Sequence, residues 1–158
     1  MLFRQYEEPI CSYLTRLTGD LGRAQELTQE TFLRAYRALS KGECWENPRA
    51  WLYRVASRLA TDDYRRRKLL QWLPLRAADA MASGTESIEA ITAEQLAVEA
   101  ALKELPPKYR VPLVLYVYEE WTVAQVAETL GLSTSAVKMR LSRGREKFRL
   151  AYRQEEAG

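Results

Sequence analysis

The stretch EWTVAQVAETLGLSTSAVKMRLSRGREKFR, Glu120 to Arg149, decides how this chain is read. Thr122 followed by Gln125 has the spacing of a capping box, so a helix is expected to start there. Val123, Val126, Ala127 and Leu130 give that helix an apolar face at spacings of three and four. Gly131 comes next, where a helix end calls for a residue that tolerates positive φ. Leu132 is placed to fill the angle between two helices, and Ser133 is a good N-cap for the second. Val137 and Leu141 turn inward on that second helix. From Lys138 to Arg153 the chain carries seven bases (Lys138, Arg140, Arg143, Arg145, Lys147, Arg149, Arg153) against one acid, Glu146. A helix-turn-helix of this composition suits duplex DNA. A helix fits the major groove, its N-terminal half meets base edges, and Arg and Lys reach guanine edges and phosphates. A solvated helical hairpin has the same periodicity, and Arg140 and Lys147 fall to the sides of the second helix.

The 158 residues suffice for one medium domain or two small ones, and 47% apolar content supports a packed core. A net charge of +3 says little, but its distribution says more. Seven bases lie between Asn47 and Lys68 against Asp62 and Asp63, and six acids lie between Ala77 and Glu104 against Lys103 alone. Two basic regions around an acidic middle favour a polyanion touched at two places. With no histidine, and with Cys11 and Cys44 far apart, a zinc module is not expected, nor is any other metal, cofactor or catalytic residue. The cysteine usage suggests a reducing, cytoplasmic setting. No signal-peptide run opens the chain, and the apolar run from Val111 to Tyr118 is too short to span a bilayer.

Taken in order, Leu2 to Leu17 is expected to form a first helix on Phe3, Tyr6, Ile10, Tyr13, Leu14 and Leu17, with Pro9 kinking or dividing it. Asp20 can cap a second helix, Leu21 to Ser40, with Ala24, Leu27, Thr31, Phe32, Ala35 and Leu39 inward. A separate stripe holds Glu26, Gln29, Glu30, Leu33 and Arg37. Leu33 there marks either a protein contact or one unremarkable exposed leucine. Asn47-Pro48 starts a third helix, with Leu52, Val55, Ala56 and Leu59 inward and Arg54, Arg58, Thr61, Arg65 and Lys68 opposite. Trp51, Tyr53 and Tyr64 interleave with those bases. They are either a stacking platform for unpaired bases or core and rim residues. Leu69 to Thr92 reads as a linker, with Trp72 and Leu73 docking back on the first unit. Ala93 to Glu104 is helical on Leu96, Ala100 and Leu102. Lys108 to Glu120 follows with Val111, Val114, Leu115 and Tyr118 inward and a bend at Pro112.

Three segments, in this order, resemble the bacterial extracytoplasmic-function (ECF) sigma factors of the two-domain type. ELTQETFLRAYRAL (Glu26 to Leu39) is similar to the helix that docks on the clamp coiled coil of RNA polymerase. NPRAWLYRVASRLATDDYRRR (Asn47 to Arg67) is similar to the promoter −10 segment. Leu105 to Arg149 is similar to the −35 domain, which also meets the polymerase flap. The resemblance implies an all-α fold of two small helical domains, 1–70 and 94–158, joined by a flexible acidic linker, 71–93. It also implies promoter recognition and transcription initiation with core polymerase.

By the same resemblance, Glu26, Gln29, Glu30, Leu33 and Arg37 are the polymerase contacts, and Trp51, Arg54, Arg58, Thr61 and Arg65 read the −10 element. Lys138, Met139, Ser142 and Arg143 fall at −35 base edges, and Ser133, Ser135 and Arg145 at phosphates, with Thr134 completing that surface. Expected partners are core polymerase, promoter DNA and an anti-sigma factor, which often sits at the membrane; no small-molecule substrate is expected. The chain differs from the family pattern at Arg58, where Asn is frequent, at Asp62-Asp63, where an Asp-Tyr pair is frequent, and at Ser142, where a bulkier residue is common. The competing reading is a stand-alone helix-turn-helix regulator that binds duplex DNA without polymerase. A nucleic-acid-processing enzyme would need an acid-base pair or a metal, which Asp62 and Asp63 on different sides of a helix do not supply.

Overall fold

In the computed structural model, which describes residues 2–73 and 92–157, each expected helix forms. The order is α1 (Leu2–Thr18), α2 (Leu21–Ser40), α3 (Pro48–Gln71), α4 (Ala93–Lys103), α5 (Pro107–Val117), α6 (Val123–Leu130) and α7 (Thr134–Ala157). There is no strand among the described residues. The linker residues 74–91 and the Phe3 side chain lie outside that set. The helix starts follow local chemistry. The Asp20 side chain accepts from the Arg23 amide at 3.2 Å, and Asn47 Oδ1 accepts from the Ala50 amide at 3.1 Å ahead of Pro48. Thr92 and Thr122 each form a reciprocal capping box, with Gln95 and Gln125.

α1, α2 and α3 pack pairwise into an N-terminal unit, and α4, α5 and α6 pack around α7 into a C-terminal one. Ile10, Tyr13 and Leu14 from α1, Leu52 and Ala56 from α3, and Ala24 and Ala35 from α2 are fully buried in the first unit. Leu105, Val114, Leu115, Val126 and Val137 do the same in the second. Pro9 neither divides nor ends α1, and it is exposed. Pro112 is buried within α5, which runs through it to Val117.

Four apolar assignments fail for one reason: periodicity defines a face but not whether a neighbour covers it. Leu39 is 44% exposed and Ala38 fills the core position beside it. Leu96 is 53% exposed, and Ala101 and Leu102 anchor α4 instead. Tyr118 is 40% exposed, with Arg16 stacked over its ring. Trp72 and Leu73 do not dock back, since α3 extends to Gln71 and carries them out to 81% and 49% exposure.

The two units also pack on each other, through contacts of α1 with α4 and α5 and of α3 with α5 and α6. Arg110, on α5, is 4% exposed. Its guanidinium donates to the carbonyl oxygens of Leu105 at 3.0 Å and Lys103 at 2.6 Å, and to that of Leu17 at the end of α1. The same junction holds an aromatic ladder, with the Arg49 guanidinium over the Tyr53 and Trp121 rings. The Tyr13 and Tyr53 rings lie 4.8 Å apart, and the Tyr53 and Trp121 rings 5.0 Å apart. Such pairs are worth about 1 kcal/mol each beyond their buried area. Tyr13 Oη and Ser57 Oγ are 2.7 Å apart, and Tyr53 Oη donates to Glu119 Oε2 at 3.0 Å. Glu120, at φ 56°, takes the left-handed conformation in the turn that delivers Trp121 to this ladder.

Two measurements test this junction. Arg110→Met strands three buried carbonyls and should lower unfolding free energy by roughly 2–4 kcal/mol in urea titrations. Arg110→Lys should recover only part of that loss, because an ammonium lacks the planar fork that spans three acceptors. Burial, chiefly, raises the Tyr13 and Tyr53 hydroxyls above the ordinary 10.0, and Glu119 beside Tyr53 pushes the same way. The folded state therefore keeps protons that the unfolded chain releases. Stability should be intact below pH 10 and should fall as pH rises beyond that ordinary value. Urea midpoints at a series of alkaline pH values should show a shallower fall in Tyr13→Phe.

Candidate nucleic-acid interfaces

The helix-turn-helix is built by its caps. The Thr122 box opens α6, and Gly131 closes it at φ 67°, ψ 38°, a left-handed cap that a β-carbon would strain. Ser133 Oγ then accepts from the Ala136 amide at 3.1 Å and starts α7. Val137 and Leu141 are 0% and 4% exposed, which fixes the rotation of α7 about its axis. With that rotation set, Ser133, Thr134, Ser135, Lys138, Met139, Ser142, Arg143 and Arg145 all reach solvent. Lys138, Ser142, Arg145 and Arg149 share a shallow surface with Tyr116, and the Arg145 guanidinium lies 5.4 Å from the Tyr116 ring centroid. This surface offers cations for phosphates, with Met139 and Ser142 in the N-terminal half of α7 for base edges.

The second basic surface is on α3. Arg54, Arg58, Thr61 and Arg65 lie together along one wall of a cleft whose other wall is the C-terminal unit. Trp51 is not on that wall. It stacks on Trp45 with ring centroids 4.0 Å apart and an interplanar angle of 17°. Tyr53 is 1% exposed and belongs to the aromatic ladder, so the core alternative holds for it and no base can stack there. Tyr64 is half-buried and lines the cleft. The two aspartates part company as expected. Asp62 is exposed, and Asp63 is buried between Arg23 and Arg67 Nε, the latter at 3.3 Å. Asp63 thus ties α3 to the start of α2, which accounts for an acid at a position where the related pattern often has tyrosine.

The third surface is α2. Glu26, Gln29, Leu33 and Arg37 are exposed and Glu30 is half-buried on one side of the helix, with Leu33 43% exposed. Arg23–Glu26 and Glu30–Arg34 pairs, at 2.8 Å and 3.2 Å, brace that side. The Leu21, Tyr36 and Leu39 side chains add exposed apolar area on the same helix. The described residues hold no group of acids and cysteines able to bind a metal ion, and no helix among them is long and apolar enough to cross a membrane.

Sequence reasoning missed Arg110, Glu119 and Trp121. Only Arg110 left a local trace, as a lone cation at the edge of the apolar run VPLVLYV. The roles of Glu119 and Trp121 depend on Tyr53, a residue 66 positions from Glu119, and no periodicity reports such a partner.

Comparisons with known proteins match two segments of the chain. Residues 2–69 match Sigma-70 region 2 and residues 95–148 match Sigma-70, region 4. The chain is 29% identical over 160 residues to the ECF RNA polymerase sigma factor SigW of Bacillus subtilis, covering 91% of this chain and 83% of that protein. It is 30% identical over 148 residues to the RNA polymerase sigma factor YlaC of the same organism, covering 91% and 86%. Among solved structures it is similar in fold to the sigma factor RpoE of Bartonella quintana, seen in complex with the anti-sigma factor NepR. The TM-score is 0.72 at 18% identity, over 96% of this chain and 94% of that one.

Proposed function

Because the chain belongs to the ECF group of RNA polymerase sigma factors, proteins that direct transcription initiation, we propose that its two helical units divide promoter recognition between them. α7 reads the −35 element, with Lys138, Met139, Ser142 and Arg143 toward base edges and Ser133, Thr134, Ser135 and Arg145 toward phosphates. α3 takes the −10 element, with Arg54, Arg58, Thr61 and Arg65 following the unpaired strand and Trp51, stacked on Trp45 off the cleft wall, one turn before Arg54 on the same helix. The stripe Glu26, Gln29, Glu30, Leu33 and Arg37 on α2 docks on the clamp coiled coil of core polymerase, and the C-terminal unit meets the flap. The polymerase supplies the chemistry; this chain supplies the address. An anti-sigma factor is the partner expected to withhold it, and the cytoplasm is where polymerase and promoter are met.

The observation that carries this reading is the joint exposure of Lys138, Met139, Ser142 and Arg143 on a helix whose rotation Val137 and Leu141 fix. Geometry adds a requirement. Elements about 25 base pairs apart are separated by roughly 85 Å of duplex at 3.4 Å per step. A compact chain of this length has a radius of gyration of about 15 Å, hence a diameter of about 40 Å. The packed arrangement cannot touch both elements at once, so the two units part on the promoter and α3 loses its facing wall.

Reconstituted transcription tests the reading. Purified chain, core polymerase and a pool of genomic fragments should yield transcript starts that depend on the chain and share two upstream motifs. No starts, together with tight binding of the chain alone to duplex DNA, would instead make it a stand-alone regulator. Lys138→Ala combined with Arg143→Ala should abolish transcription that depends on the −35 motif, since each lost contact is worth roughly 1–3 kcal/mol. Leu33→Asp should reduce co-elution with core polymerase while leaving the circular-dichroism melt nearly unchanged, because Leu33 is 43% exposed and stands outside the hydrophobic core of the described residues.

A further inference from the structure

The cleft between α3 and the C-terminal unit has a volume of about 660 Å³, within the ~300–1,000 Å³ common for small-molecule sites. Its cations come from both walls: Arg54, Arg58 and Arg65 from α3, Lys108 and Arg140 from the C-terminal unit. Asp62 is the single carboxylate among the described residues that line it. Among the described residues, none of the five cations lies within ion-pair distance of a carboxylate. This contrasts with Arg23 and Arg67, which converge on Asp63. The N-terminus of α5 opens onto the same space. Pro106 caps it without a side-chain acceptor, and Pro106, Pro107 and Lys108 all line the cleft. Pro106 and Pro107 carry no N–H and the Tyr109 and Arg110 amides donate to the Pro106 carbonyl, so the Lys108 amide is the one donor this helix start offers to an anion among the described residues. The Nε of Arg140 is buried and has no hydrogen-bond partner among the described residues.

Packing two basic walls against each other with one carboxylate between them among the described residues is unfavourable, and an anion between them removes the repulsion. We propose that this cleft binds a polyphosphate anion, inorganic or carried by a nucleotide, gripped by Arg54, Arg58 and Arg65 on one side and by Lys108 and Arg140 on the other. The ligand class follows from the charge and size of the space. Five cations against one carboxylate among the described lining residues call for a compact polyanion, and planar guanidiniums hold phosphate oxygens in pairs. Tyr64 on the wall offers a ring for a nucleobase. The site exists only while the units are packed. The ligand therefore favours that arrangement and opposes the parting needed on a promoter. Lys108 and Arg140 belong to none of the three proposed contact surfaces, so the site is separable from promoter reading, and its failure would leave that reading intact.

The test is calorimetric titration of the full-length chain with sodium tripolyphosphate at a fixed ionic strength of roughly 0.15 M. One saturable site per chain is expected. Its affinity should fall about tenfold or more in Lys108→Glu with Arg140→Gln, the scale of a charge-assisted contact. Sulfate at matched ionic strength should not displace the ligand. A parallel titration with ATP separates the sources. Tighter binding than tripolyphosphate, weakened by Tyr64→Ala, assigns the site to a nucleotide; equal binding assigns it to inorganic polyphosphate. Lys108 is exposed, so Lys108→Glu alone remains informative if the double variant misfolds. Absence of saturation overturns the proposal, as does an affinity unchanged in Lys108→Glu. So does a −10 single strand that binds the free chain through Lys108 and Arg140 where tripolyphosphate does not.

Discussion

A buried guanidinium is costly unless its donors meet acceptors, and Arg110 meets three carbonyl oxygens, on Leu17, Lys103 and Leu105. Leu17 lies in the last turn of α1 and Lys103 at the end of α4, where unpaired carbonyls and the helix dipole leave negative partial charge. The cation therefore sits where two helix ends and the α4–α5 turn all lack a partner. Burial lowers its pKa, yet an arginine begins so high that it stays charged. A second set of ties joins the same two units: Tyr13 packs on Tyr53, Tyr53 on Trp121, and the Tyr53 hydroxyl donates to Glu119.

That ladder gives α3 its orientation. The helix has two working sides: Tyr53, Ala56 and Ser57 face inward, and Arg54, Arg58 and Arg65 face the C-terminal unit across the cleft. Asp63 adds a third tie, to Arg23 at the start of α2. A helix held along its inner side can present a row of cations without fraying. This row is the surface proposed for the −10 strand, and in the packed chain it looks at the protein's own C-terminal unit. Polar and aromatic ties join the units over an apolar core that runs continuously from one to the other.

Some of this was plain from residues alone and some was not. The limits of α2, the two capping boxes, the left-handed Gly131 and the inward Val137 and Leu141 follow from backbone chemistry that acts within a few positions. Leu39, Leu96, Tyr118 and Trp72 went astray because an apolar stripe becomes core only where another element covers it. Tyr53 shows the converse. Flanked by arginines, it reads equally well as a nucleic-acid platform, until Tyr13 and Trp121 are seen on either side of it.

Local rules thus settle the helices, their caps and the face that α7 offers, because each depends on neighbours one or two turns away. They also carry the family likeness, which is a matter of motifs in order along the chain. The pairing of Arg110 with Leu17, of Glu119 with Tyr53, and of the α3 arginines with Lys108 and Arg140 across a cleft depends on residues dozens of positions apart. Those juxtapositions exist only once the two units pack, because they are set by how surfaces fit and not by the period of any one helix.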